Sequence, residues 1–482
     1  MRYDIYSEFH GKIPIEKIVP KLIPLWKEDK KVKEITRVDA HQRAKRLLQF
    51  DLLEQKVKAI ERPLPPSYDS IMEISCRAHS CPYPFNLDPW ESGVCFNCIY
   101  CFAIHFKSSL YTSFYDDFTW KPRPTSFEHL KKTLTEILNA RGVQSSEREK
   151  GKGDSYCGSI TNVRPLKKAA KQRIPLRIGN KSENFLPIEK KVGITLEALK
   201  IIKDFDYPLI INTKSTLVAE EPYISILGDL SKVVVQISII HNDDEVAKKI
   251  EPLAPPSSER WRVMKELNEV GITAIPRLEP IMAFINDDDE HLREYARSAA
   301  EAEAKYALMD AYSYTTRSPK IAELFEANGF DFDRMFEATS EYQILGSYLI
   351  QKASYYLKKE GIKTSTFDFP TIPYNDTQTC CAIDPVFGNW YKYNMYSMID
   401  LLIDKKELSF KEFDEKYAYG LELTASIRNY LKRVWLGKVQ TPWHPLYVEG
   451  VYVKEVLDDD IIYGFNPKEL GKEYRRIMEV IN

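Results

Sequence analysis

The sequence predicts an α/β chain built around a partial (β/α)6 barrel, with an N-terminal helical extension and a mainly helical C-terminal domain. Two observations carry this expectation. Short apolar, β-branched runs alternate with longer amphipathic stretches through the middle of the chain, the pattern of parallel strands joined by helical crossovers. Small and polar residues then follow the expected strands at their C-terminal ends, where barrels of this kind keep their functional side chains.

Residues 1–75 are expected to form an accessory region with one helix over 39–60, whose apolar set is Leu47, Leu48, Leu53, Val57 and Ile60. Pro63-Leu64-Pro65-Pro66 follows it as a linker. The barrel is expected over 76–320. Its first strand is placed over 70–75, ahead of a cysteine-rich loop, and further strands over 174–178, 208–212, 233–239, 273–278 and 306–311. Each unit is long enough for a crossover, which needs a dozen or more residues. The helix over 195–204 carries Leu196, Leu199, Ile201 and Ile202 at helical spacing. Ser257 is expected to cap a helix bearing Trp261, Met264, Leu267 and Val270, which Gly271 stops.

An insertion over 144–173 holds Arg148, Lys150, Lys152, Arg164, Lys167, Lys168, Lys171 and Arg173 among glycines and serines. It reads as a basic loop over the barrel mouth, able to grip phosphates, although a charge run is more often solvated surface. Residues 321–482 are expected to cap the barrel and shape substrate choice. There Ser409-Phe410-Lys411-Glu412 reads as a capping box opening a long helix through Arg433. The aromatics of 391–396 and 443–452 are expected to pack a core rather than stack bases.

Composition narrows the function classes. In 482 residues, 68 Lys and Arg stand against 70 Asp and Glu, a net charge of −2, so no global electrostatic pull toward nucleic acid follows. No apolar run is long enough to span a membrane, and Met1-Arg2-Tyr3-Asp4-Ile5 opens no signal peptide. The expectation is a cytoplasmic enzyme with no membrane partner, since clustered cysteine ligands need a reducing compartment.

The chemistry is concentrated in Cys95, Cys98 and Cys101, three of only eight cysteines. Three thiolates on one loop can wrap a single metal centre, and soft sulfur ligands select iron-sulfur clusters or zinc. A zinc knuckle remains an alternative, because Cys-x-x-Cys is common in zinc sites. Behind the loop come Gly179-Asn180-Lys181-Ser182-Glu183, Thr213-Lys214-Ser215, Ser238 and Arg277-Leu278-Glu279-Pro280, each at an expected strand end. Turn chemistry alone could account for any one of them. Together they outline a pocket.

Over roughly 84–314 these residues resemble the spore photoproduct lyase and DNA photolyase-like branch of the radical S-adenosylmethionine (radical SAM) superfamily. The likeness runs through Asn86-Leu87-Asp88-Pro89-Trp90, Pro175-Leu176-Arg177-Ile178-Gly179, Asn212-Thr213-Lys214-Ser215, Gln236-Ile237-Ser238-Ile239, Glu251-Pro252-Leu253-Ala254-Pro255 and Glu259-Arg260. It implies that Cys95, Cys98 and Cys101 hold a 4Fe-4S cluster whose open iron takes S-adenosylmethionine. It also implies that Lys214 pairs with the cofactor carboxylate, that Ser182 and Ser238 bond its polar edges, that Gly179 permits close approach and that Tyr100 lies against the adenine. A reducing electron donor such as flavodoxin or ferredoxin would be a partner.

Two departures from the branch stand out. The first gap of the cysteine motif is one residue short, with Val94 at the expected position. The second-strand loop lacks the cysteine of spore photoproduct lyases proper, so the spore lesion is not the expected substrate unless Cys157 or the Cys380-Cys381 pair reaches that spot. Nucleic acid, peptide and small molecule stay open as substrate classes, because fold-level analogy does not choose among them. Cys76, Cys81, Cys157, Cys380 and Cys381 are either ligands of an auxiliary metal or ordinary reduced cysteines, and His105 and His241 are expected to be structural. The rival to a radical enzyme is a zinc-stabilised, non-catalytic binding protein on a degenerate barrel.

Overall fold

Eight strands form one sheet in which spatial order follows chain order: β1 (Met72–Ile74), β2 (Phe85–Leu87), β3 (Leu176–Ile178), β4 (Leu209–Thr213), β5 (Val233–Ser238), β6 (Thr273–Ile281), β7 (Tyr306–Ala311) and β8 (Lys363–Thr366). The computed structural model describes residues 71–75, 81, 83–91, 96, 98–101, 122–139, 161, 163–282, 285–312, 323–324, 339–367, 372–373, 375–388, 392–417, 425–439 and 444–470. From β2 to β8 every pairing is parallel, and β1 runs antiparallel to β2. Parallel strands that advance one neighbour at a time, with helices between them, make every crossover turn the same way. The result is a partial α/β barrel, as expected.

Paired residues of neighbouring parallel strands share a face of the sheet, and successive residues alternate between faces. Asn86 pairs with Arg177 and Arg177 with Ile210; two residues on, Asn212 pairs with Gln236, and Ser238 with Arg277. These residues share one face, which lines the barrel and, above Ile210, turns polar toward the C-terminal ends of the strands. The other face carries Leu176, Ile178, Leu209, Ile211, Val235 and Ala274, all buried, and this is the side that the helices cover.

The strand expected over 70–75 exists, but it is the antiparallel β1. The first parallel strand is β2, which is only three residues long and is followed at once by Asp88-Pro89, so no apolar run announces it. The sheet also continues past residue 320. Its last strand, Lys363-Thr364-Ser365-Thr366, lacks the apolar pattern of its neighbours and is led in by the helix Thr339–Lys359 packed on β7.

Local corrections have local causes. The helix expected over 195–204 spans Ile194–Asp204. Pro256, not Ser257, caps the helix Ser257–Glu269, and the Asp244 carboxylate accepts from Ser258 N and Oγ at 3.0 and 2.6 Å. Part of the supposed basic loop is the helix Val163–Lys171, with Leu166, Ala169 and Ala170 buried at helical spacing under the charges. Residues 144–160 lie outside the described residues, as do the helix expected over 39–60, its proline linker, His105, Cys76, Cys95 and Cys157.

Toward the C-terminus, β9 (Glu407–Ser409), β10 (Val451–Val456) and β11 (Ile461–Phe465) form a small antiparallel sheet in the order β9-β11-β10. The capping box is real: Glu412 accepts from Ser409 N at 3.0 Å, and Ser409 Oγ accepts from Glu412 N at 3.2 Å. Its helix is described over Phe410–Tyr417, and a further helix spans Ala425–Trp435. Tyr393, Tyr396 and Trp435 are buried, as packing requires, whereas Tyr447 and Tyr452 are exposed. Among the described residues no helix is long and apolar enough to cross a membrane.

Candidate cofactor pocket

Cys98 and Cys101 lie on one turn, closed by a hydrogen bond from Cys101 N to the Cys98 carbonyl at 3.1 Å. The turn is pinned at two points, to the last residue of the helix Asp244–Ile250 and to the segment after it. Ile99 N donates to Ile250 O at 3.0 Å, and Leu253 N donates to Phe96 O at 3.2 Å. Phe96, Cys98 and Leu186 make a small apolar cluster, with Tyr100, Cys101, Ile188, Leu253 and Ala254 packed around it. The loop that would carry a metal centre is thereby held in shape by backbone bonds and apolar burial.

A buried charge network adjoins it. Tyr100 OH donates to Glu251 Oε1, Lys214 Nζ stands 3.9 Å from the same oxygen, and Arg260 NH1 lies 2.6 Å from Glu251 Oε2. Arg260 also donates to the Ser238 carbonyl at 2.7 Å, which ties the network to the end of β5. Lys214 Nζ sits over the Tyr100 ring, 5.6 Å from its centroid. Burial pushes the Tyr100 hydroxyl well above its usual range, and the charge of Glu251 and then Cys98 add to this. Burial opposes the charge on Lys214, yet Cys98 and Glu251 hold its pKa above the ordinary lysine value.

The loop after β3 is organised by different partners. Gly179 adopts φ +87°, and a β-carbon there would collide with the Asn212 carbonyl oxygen, so only glycine fits. The space its missing side chain leaves is taken by the neighbouring strand. Ser182 Oγ donates to Trp90 O at 2.8 Å. Asp88 Oδ1 accepts from Gly179 N at 3.2 Å and Asn184 Nδ2 at 2.8 Å, and burial raises its pKa to about 6. Glu183 bridges to β4, accepting from Thr213 Oγ1 at 2.8 Å and Lys214 N at 3.0 Å.

Of the residues singled out in the sequence, the fold therefore brings Cys98, Tyr100, Lys214 and Ser238 around Glu251 and Arg260. Gly179 and Ser182 lie in the adjoining loop, joined to Lys214 through Glu183. In the sequence, Glu251 and Arg260 belong to the segments that carry the resemblance and have no assigned role. The Cys380-Cys381 pair does reach β3, where Arg177 NH2 lies 3.5 Å from Cys381 Sγ. Among the described residues, no three His, Cys, Asp or Glu are grouped as ligands for a metal. His241 stacks on His291 with ring centroids 4.1 Å apart.

No family model and no curated protein sequence matches the chain. Solved structures similar to it include SuiB of Streptococcus suis bound to S-adenosylmethionine, at 17% identity over 36% of this chain and 40% of that one, with a TM-score of 0.26. SuiB alone gives 17% identity over 36% and 39%, and SuiB bound to its precursor peptide SuiA gives 14% over 48% and 56%, both with TM-scores of 0.26. The match spans between 39% and 56% of the length of those structures.

Proposed function

We propose that this protein is a radical SAM enzyme of the spore photoproduct lyase-like branch, in which Cys95, Cys98 and Cys101 hold a 4Fe-4S cluster. The observation that carries the reading is the pinned Cys98–Cys101 turn beside the Lys214–Glu251–Tyr100 network. The donor set suits the group: soft thiols for iron, and next to them a lysine ammonium. At 3.9 Å from Glu251 the ammonium is beyond hydrogen-bond reach of that carboxylate, which leaves its hydrogens to another one.

When bound, the cluster and S-adenosylmethionine supply the reductive cleavage that yields a 5′-deoxyadenosyl radical for hydrogen abstraction. The chain's own residues bind and orient. Lys214 would meet the cofactor carboxylate, Tyr100 and Ser238 would flank it, and Gly179 and Ser182 would shape the wall of the pocket. Glu251 and Arg260 hold Tyr100 and Lys214 in place. A reducing protein such as flavodoxin or ferredoxin would deliver the electron. The substrate class that the resemblance implies is a nucleic acid, with a peptide or small molecule as the other options, chosen by the chain beyond residue 320.

Anaerobic purification and reconstitution test the reading. The expected protein is brown, has a low-temperature EPR signal on reduction, and cleaves S-adenosylmethionine to 5′-deoxyadenosine. Alanine at Cys95, Cys98 or Cys101 should each abolish the signal, whereas Cys81→Ala should keep it. A colourless protein with one stoichiometric zinc and no iron would overturn it in favour of a zinc-stabilised binding protein.

A further inference from the structure

A second group of thiols lies against the polar face of the barrel, apart from the cysteine loop. Arg177 on β3 directs NH2 to 3.5 Å from Cys381 Sγ and 3.7 Å from Cys81 Sγ, and Cys380 Sγ is 3.8 Å from Cys381 Sγ. Gln236 on β5 donates to the Cys381 carbonyl at 3.0 Å. The loop is also fixed from behind, where the Asp384 carboxylate accepts from Gln378 N, Thr379 N and Thr379 Oγ1 at 2.9, 3.1 and 2.8 Å. Cys381 is thus placed by a built framework, and Arg177 Nε, Asn86 Oδ1 and Asn212 Oδ1 on the same face are buried without a hydrogen-bond partner.

A guanidinium shared by two sulfurs disfavours a cation there, so an auxiliary metal is a poor occupant. The same arrangement favours an anionic sulfur with neutral thiols beside it. The hydrogen bond from Cys380 brings the Cys381 pKa down to about 7 against burial, helped by Arg177, while burial raises Cys81 and the bond to Cys381 raises Cys380. A low-pKa thiolate with a second thiol in reach is the arrangement of oxidisable cysteines.

We propose that Cys381 is an oxidisable thiolate that reacts with hydroperoxides and is resolved by Cys81 to a Cys81–Cys381 disulfide. The Cys381 thiolate attacks a peroxide oxygen, the O–O bond breaks, and hydroxide leaves to be protonated by solvent, giving a sulfenic acid. The Cys81 sulfur then attacks the sulfenic sulfur, the S–O bond breaks, and water leaves with the Cys81 proton. Two thiols lose two electrons in all, and one hydrogen peroxide becomes two waters. Cys380 is the poorer resolver: neighbouring Cα atoms are about 3.8 Å apart, short of the roughly 4.4–6.8 Å that disulfides span. Oxidation would remove the thiolate and leave Arg177 as an uncompensated cation in the barrel.

The test uses the full chain under anaerobic conditions, treated with stoichiometric hydrogen peroxide, blocked with N-ethylmaleimide and mapped by peptide mass spectrometry. A Cys81–Cys381 linked peptide pair is expected, lost in Cys81→Ser and Cys381→Ser and kept in Cys380→Ser. Its absence from the wild type, or a Cys380–Cys381 link in its place, overturns the proposal. A second measurement follows iodoacetamide alkylation of Cys381 at pH 7, which should slow about fivefold in Arg177→Gln and stay near the wild-type rate in Arg177→Lys. Equal rates in all three proteins overturn the role of Arg177. Neither measurement depends on the cluster or on S-adenosylmethionine cleavage, so each stands apart from the proposed function.

Discussion

Glu251 and Arg260 form an ion pair with side chains 0% and 1% exposed, 2.6 Å apart, directly behind the cysteine loop. Two charges taken out of water in this way stabilise little as a pair, but removing one of them strands the other. Arg260→Met should therefore lower stability by about 3–5 kcal/mol, read as a fall in the urea midpoint. The double variant Arg260→Met with Glu251→Leu should recover much of that loss. Equal stability of the wild type and the single variant would show that the Glu251 charge is balanced without Arg260.

Lys214 is held near Glu251 without a hydrogen bond between them, at 3.9 Å. If its ammonium meets the cofactor carboxylate, Lys214→Ala should weaken S-adenosylmethionine binding about ten- to hundredfold, the equivalent of about 1.5–3 kcal/mol for a contact to a charged group. Calorimetric titration of the reconstituted protein measures it. Unchanged affinity would take Lys214 out of the pocket.

Gly179→Ala meets two obstacles, a left-handed φ of +87° and the Asn212 carbonyl oxygen where its β-carbon would stand. Strain of on the order of 1–3 kcal/mol should appear as a lower melting temperature, together with weaker cofactor binding as β3 and β4 are pushed apart. Substitution at Gly193, also at positive φ but with open space around its β-carbon, should cost less. Equal losses at both positions would contradict the steric account.

His291, buried and stacked on His241, has its pKa lowered to about 4 by burial and then by the neighbouring His241 charge, with Asp288 opposing. The folded-state value lies below the unfolded 6.5, so the unfolded chain takes up the proton first. Stability is full above about pH 6.5 and falls as pH drops toward about 4. The loss between pH 7 and pH 5 should be on the order of 1–2 kcal/mol, and His291→Phe should remove it. Urea unfolding at both pH values settles the matter, and an unchanged difference in the variant would assign the pH dependence elsewhere.

How far the sequence could be read depended on what each element buries. Strands β3 to β7 were visible because a parallel strand buried on both faces reads as a continuous apolar run, as in Leu209-Ile210-Ile211 and Val233-Val234-Val235. Lys363-Thr364-Ser365-Thr366 at the sheet edge has no such run, and β2 is too short to show a period. In the pocket, Lys214 and Ser238 were legible because strand ends are marked by turn residues. The roles of Glu251 and Arg260 were not, since an ion pair between the C-cap of one helix and the body of the next leaves no local pattern. The meeting of Arg177 with Cys381, 204 residues apart, depends wholly on the fold.

The strands of the sheet succeed one another in chain order, but the segment that meets Arg177 and Gln236 on its inner face comes from far downstream. Tyr83 OH bonds to Gly388 O across 305 residues, and Arg177 reaches Cys381 across 204. During vectorial synthesis the strands can pair as they emerge, each with the one just made. Those two contacts form only after residues 375–388 have been made, so until then the Arg177 guanidinium lacks the Cys381 sulfur that faces it in the finished fold.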